Sequence, residues 1–121
     1  MVMDTAPPAA TWAPYQARPG RPVLVIDDLA GLCGPASGEV VLPLRLFWSP
    51  AGRVFDLGNP HDLRAMYQFV LNEAIRAGEL AEFLNGDTLV AIWPDLYLPK
   101  GVRRAWEERH PRLRAARAAA A

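Results

Sequence analysis

Residues 58–78 read GNPHDLRAMYQFVLNEAIRAG, and this stretch decides the fold. Asn59 followed by Pro60 is a helix start. An Asn side chain can accept from the free amides of a first turn, and Pro at the first helical position gives up an amide that has no partner there. Asp62 favours the positive end of the helix dipole. Leu63, Met66, Tyr67, Val70, Leu71, Ala74 and Ile75 then recur at spacings of three and four, which makes one apolar face over about four turns. Gly78 closes the pattern. Phe69 falls off that face.

A long helix with one apolar stripe needs something to cover it. The residues before it supply a hairpin from Val40 to Leu57. From Glu39 to Trp48 the chain alternates, with Val40, Leu42, Leu44, Leu46 and Trp48 on one face. Val41, Pro43, Arg45 and Phe47 lie on the other. Pro43 cannot donate to a ladder, so the strand is expected at an edge or locally irregular. Ser49-Pro50-Ala51-Gly52 fits a type I turn, and Arg53 to Leu57 returns as the second strand. Further upstream, Pro22-Val23-Leu24-Val25-Ile26 reads as another strand that ends at Asp27-Asp28. The glycines and proline from Leu29 to Gly38 mark a loop.

Downstream the chain breaks into short helices. Glu79 to Asn85 is the first, and a second is capped by Asp87 or Thr88 and runs to Trp93. Tyr97-Leu98-Pro99 is a connector. A further helix opens at Pro99 or Lys100 and continues to about Arg109, with Val102, Ala105 and Trp106 inward. The expectation is an α+β fold: a small antiparallel hairpin or sheet of two or three strands, packed by a long amphipathic helix and followed by a short-helix C-terminal half. Residues 1–21, rich in Pro and Ala, read as a flexible N-terminal tail in which Trp12 and Tyr15 are the features available for packing. Residues 22–110 read as a single domain. Residues 111–121 read as an Ala/Arg-rich tail or frayed helix.

At 121 residues, 51% of them hydrophobic, the chain suits one globular domain. The single cysteine, Cys33, excludes an internal disulfide framework. The longest apolar run is interrupted by Pro43 and Arg45 and falls far short of a membrane span. No secretory leader pattern is legible in the opening residues, so a cytoplasmic location is expected. Arginine outnumbers lysine 12 to 1 beside abundant Ala and Pro, which reflects a GC-rich coding sequence more than a choice of guanidinium chemistry.

The charge is zero overall but divided along the chain. From Lys100 onward there are seven basic residues against two acidic ones, a surplus of five, and the preceding 99 residues carry the opposite balance. A basic end on an acidic body points to polyanions or to acidic protein surfaces. The candidate contacts are Lys100, Arg103, Arg104, Arg109, Arg112 and Arg114. Phe47, Phe69 and Tyr97 are candidate docking aromatics.

Chemistry is harder to find. His61, His110 and Cys33 lack the spacing of a zinc site, and no phosphate-binding glycine motif occurs. His61 reads as a first-turn helix residue, and His110 as a helix C-terminal residue that complements the dipole. Asp27, Asp28 and Asp56 stand at strand ends. They would need a concave pocket around them to act as acids, bases or cation ligands, and a solvated or capping role is the expectation.

The leading functional expectation is a non-enzymatic cytoplasmic binding module acting by protein–protein contact, in the manner of an accessory or antitoxin-like partner protein, with homo-oligomers also considered. No cofactor, metal or membrane is expected. The alternative is DNA or RNA binding through the basic C-terminal helices. There, Asp87 to Arg109 would form a helix-turn-helix-like pair with Lys100, Arg103 and Arg104 facing DNA.

Overall fold

A computed structural model describes residues 8–43, 46 and 54–120. It has an α+β fold with two antiparallel hairpins and five α-helices. The first hairpin pairs β1 (Ala10–Arg18) with β2 (Arg21–Ile26), and the second pairs β3 (Glu39–Val41) with β4 (Val54–Asp56). The helices are α1 (Pro60–Glu73), α2 (Ala77–Phe83), α3 (Gly86–Ile92), α4 (Lys100–Arg109) and α5 (Pro111–Ala120). No described helix is long and apolar enough to cross a membrane.

The β1 strand takes up residues 10–18 of the expected N-terminal tail. Its inward side is written mainly in small residues: Ala13, Tyr15 and Ala17 alternate toward the core. Alanine carries little hydrophobic signal, and Pro14 argues against a strand. The structure accommodates Pro14 by breaking the ladder. Trp12 pairs with Leu24 but Gln16 pairs with Pro22, so β1 spends two extra residues where the proline lies. Pro19-Gly20 makes the turn, with Gly20 at φ 81°, a conformation that favours glycine and fits the third position of a type II turn.

In β2, Val23, Leu24, Val25 and Ile26 are all buried. Alternate residues point to opposite faces, so both faces of this strand are covered. Helix α4 packs on both strands of the first hairpin, and α1 and α2 pack on β2. The centre of the molecule is thus β2, enclosed by helices.

The β3–β4 register is Glu39↔Asp56, Val40↔Phe55 and Val41↔Val54. Pro43 ends the strand rather than interrupting it, since β3 stops at Val41. The expected turn Ser49–Gly52 and the aromatics Phe47 and Trp48 lie outside the described residues. Helix α1 starts as read, with Asn59 Oδ1 accepting from the amides of His61 and Asp62. It buries Met66, Tyr67, Val70 and Leu71. It ends one turn early, with Ala74 as its C-cap and Ile75 exposed.

Helix α3 is capped by Asn85, whose Oδ1 accepts from Thr88 N, and not by Asp87 or Thr88. Pro94 converts its end to a 3-10 turn at Trp93–Asp95. An extended connector then leads to α4, so the expected helix pair is interrupted.

The C-terminal residues are no tail. Ten residues of Ala-rich helix are marginal alone. Here α5 is pinned by Leu113, fully buried and worth about 1.5–3 kcal/mol as an apolar anchor. It is also pinned by Arg117, whose guanidinium reaches Glu107 at 2.5 and 2.8 Å. Glu107 is 5% exposed and also accepts from Trp93 Nε1 at 2.9 Å. These donors, Arg117 first, hold its carboxyl below the usual carboxylate range despite burial.

Candidate docking groove and its basic extension

Two candidate aromatics meet in one groove. Ala65, Gln68, Phe69 and Asn72 lie at i, i+3, i+4 and i+7 on α1, beside the stripe that faces the core. Tyr97, Leu98, Pro99 and Lys100 form the opposite wall, and the groove encloses about 540 Å³. Phe69 is half-buried and meets Phe55 edge-on at 6.1 Å, which ties the groove floor to the β3–β4 hairpin. Tyr97 is 86% exposed. The connector is held in place from both sides: Tyr97 N donates to Gln68 Oε1 at 2.7 Å, and Arg103 donates to the carbonyls of Leu96 and Trp93.

Asn72 adds a polar demand to this apolar groove. Its Oδ1 is shielded from solvent and has no hydrogen-bond partner among the described residues. A buried acceptor left unmade costs about 1–3 kcal/mol. The third candidate aromatic, Phe47, lies outside the described residues.

The six basic candidates divide. Lys100, Arg103, Arg104 and Arg114 line one cleft of about 560 Å³ between α4 and α5, together with Arg117, Glu107 and Glu108. Arg109 and Arg112 are placed elsewhere. Arg109 pairs with Asp27 at 3.4 Å, and Arg112 lines a separate cleft.

Within the basic cleft the cations are not equally free. Arg103 is turned inward, with its guanidinium 5.1 Å from the Trp93 ring centroid, and burial lowers its pKa. It does not face outward as a DNA contact would require. Arg104 lies over Tyr15 at 5.0 Å and pairs with Glu108 at 3.0 Å. Tyr15 Oη also donates to Glu108 at 2.6 Å, and it is the first cause of that carboxyl's lowered pKa. Lys100 and Arg114 make no ion pair among the described residues.

The acidic candidates also have assigned duties. Asp28 caps the 3-10 turn Leu29–Gly31 through Ala30 N at 2.9 Å. Asp27 accepts from Thr11 Oγ1 at 2.7 Å and pairs with Arg109. Both line a cleft of about 460 Å³ with Asn85, Asp87, His110 and Arg112, so a concavity of the kind an acid, base or cation-ligand role would need lies at this strand end. Asp56 is not part of it. It accepts from Gly58 N and helps to shape the junction between β4 and α1.

His110 departs from its expected role. It is 7% exposed, and its Nε2 lies 2.7 Å from the Ile26 carbonyl oxygen. A carbonyl only accepts, so Nε2 carries the proton. Burial lowers the pKa, which keeps the ring neutral, so it does not act as a dipole-complementing cation. Cys33 is an exposed loop thiol whose Sγ approaches Ala30 O at 3.7 Å.

Reading the sequence missed Ala65, Gln68, Asn72 and Arg117, while Leu98 beside Pro99 was legible as part of the same exposed connector as Tyr97. The signal for the first three was the off-face position of Phe69, which marks a second stripe on α1. Arg117 was visible as part of the basic run but not as the residue that docks it. No protein-family model, curated protein or solved structure matches this chain.

Proposed function

We propose that this protein is a non-enzymatic cytoplasmic binding module that works by protein–protein contact, as an accessory or antitoxin-like partner. Its contact site is the groove of Phe69 and Tyr97. The observation that carries this reading is that Phe69, off the core face of α1, and Tyr97, in a connector 28 residues later, converge on one apolar groove whose most exposed member is that tyrosine. Contiguous exposed apolar surface is the usual mark of a contact site, and tyrosine is enriched there. The structural duties of Asp27, Asp28 and Asp56 support a non-catalytic role.

The test is site-specific photo-crosslinking in the producing cells, with the photo-reactive residue at position 97 or, as a control, at the exposed position 118. A discrete crosslinked protein from position 97 alone is the expected result. Equal patterns from both positions, or none from 97, would overturn the groove as the contact site. A crosslink to a second copy of the chain would identify a homo-oligomer.

Nucleic-acid binding is the second reading, favoured by five cations lining one cleft. Two carboxylates in the same cleft reduce the surplus to three. With about three phosphates neutralised, raising salt from about 50 to 200 mM should weaken binding about 40-fold, far less than for a site with six to ten contacts. Salt-independent binding to DNA or RNA would remove this reading.

A further inference from the structure

We propose that the segment docking in the groove is acidic at one end: an amphipathic stretch whose apolar side chains fill the groove and whose carboxylates lie against Lys100 and Arg114. This rests on the docking reading above and adds the partner's chemistry. Lys100 lines both the groove and the basic cleft, so the two concavities form one continuous surface. A chain leaving the groove over Lys100 passes into the cleft.

The cleft keeps a positive surplus of three after its two carboxylates are counted. Its two carboxylates are already saturated, Glu107 by Trp93 and Arg117, and Glu108 by Tyr15 and Arg104. Lys100 and Arg114 have no such partner among the described residues. Carboxylates arriving from outside therefore find two cations that make no ion pair among the described residues, Arg114 being near enough to Glu108 to help lower its pKa. Arg104 and Arg117 bring further positive charge close by.

The dimensions suit a short segment. The stripe from Ala65 to Asn72 extends about 10 Å along α1, and Lys100 to Glu107 extends about 10 Å along α4. Each matches about two turns of a docked helix or about three extended residues. An apolar pair followed roughly 10 Å later by acids is the complementary pattern. A polynucleotide could place phosphates in the cleft. It has no aliphatic side chains for a groove walled by Ala65, Phe69 and Leu98.

The experiment uses the full chain. A phage library of random peptides about 16 residues long is selected on the wild type at low salt. Enriched peptides are then titrated against wild type, Tyr97→Ala and the double variant Lys100→Glu/Arg114→Glu, with mixed-sequence single-stranded DNA as competitor. Lys100 and Arg114 lie in the first turns of α4 and α5, where glutamate is favourable, so the double variant is expected to fold. Circular dichroism checks this directly.

The expected result is enrichment of Asp and Glu on one side of an apolar pair. Affinity should fall about tenfold in the charge-reversal variant, as expected for losing two exposed pairs and gaining repulsion, and also in Tyr97→Ala. Peptides without acid enrichment that lose affinity only in Tyr97→Ala would overturn the acidic partner and leave the docking reading standing. Peptides indifferent to both variants, or no enrichment, would overturn both. DNA that displaces the peptides and binds Tyr97→Ala as well as wild type would overturn the proposal in favour of nucleic acid.

Discussion

Gly101→Ala separates two pictures of the N-terminal segment by the sign of its effect. Gly101 lies in the first turn of α4, where that helix crosses β1. A Cβ placed there would overlap the Gln16 carbonyl oxygen and come within 3.0 Å of its carbonyl carbon and 3.1 Å of its amide nitrogen. These are backbone atoms of a paired strand, so no side-chain rotamer relieves the overlap. Helix or strand must shift by about an ångström, and such overpacking costs about 1–3 kcal/mol. Against this, alanine is favoured over glycine within a helix by up to about 1 kcal/mol. If β1 is docked as described, the substitution is destabilising by about 1–2 kcal/mol net. If residues 10–18 were a loose tail, the strand would move aside and the substitution would be neutral or stabilising.

The assay is urea unfolding of both proteins followed by tryptophan fluorescence, with amide exchange in β1 as the local readout. Gly78→Ala is the control, because a Cβ there meets nothing within 4 Å. It is expected to be neutral or to stabilise by up to about 1 kcal/mol. A Gly101→Ala protein as stable as wild type, with unchanged exchange in β1, would refute the packing of α4 on this strand.

Three further outcomes are expected. Glu107→Ala leaves the buried Trp93 N–H unpaired and releases Arg117. We expect a loss of about 2–3 kcal/mol, mostly from the orphaned donor because Arg117 is half-exposed, and faster tryptic cleavage at Arg112, Arg114 and Arg117; unchanged cleavage would refute the anchoring of α5. His110 has a lowered folded pKa, so its contribution to stability is fully present above its unfolded value near 6.5 and is lost as pH falls below that toward the folded value. The urea midpoint of wild type should therefore drop between pH 7.5 and 5.5 by more than that of His110→Gln, and parallel profiles would show that His110 is not held neutral. Tyr97→Ala removes a side chain that is 86% exposed, so thermal unfolding should be unchanged within about 0.5 kcal/mol while crosslinking and peptide binding through the groove are lost.

Local chemistry was enough to determine several parts of this protein. The start of α1 follows from Asn59, Pro60 and Asp62 because a cap is made by neighbours in sequence. The buried face of α1 follows from its spacing, and the presence of antiparallel strands at Val40 and Phe55 from alternation, although the expected turn at Ser49–Gly52 would have set Leu46, not Val40, opposite Phe55. The α+β class follows from those two patterns together. Phe69 and Tyr97 were visible as apolar residues without a place in their own elements.

Tertiary structure decided the rest, wherever the partner lies far along the chain. The β1 strand exists because β2 supplies its ladder and α4 approaches it at a glycine, and neither is encoded in an alanine- and proline-rich stretch. Helix α5 is ordered because Leu113 and Arg117 find sites on other elements, although its own propensity is marginal. His110 reads as a helix-end cation and becomes a neutral buried ring, because folding buries it against a strand 84 residues earlier whose Ile26 carbonyl accepts the Nε2 hydrogen bond. The basic run divides for the same reason. Net charge is a sum over residues, but which cations are left without an ion pair depends on which carboxylates folding brings beside them: Arg104 and Arg117 find Glu108 and Glu107, Arg109 finds Asp27, Lys100 is left where groove and cleft meet, and Arg114 is left in the cleft.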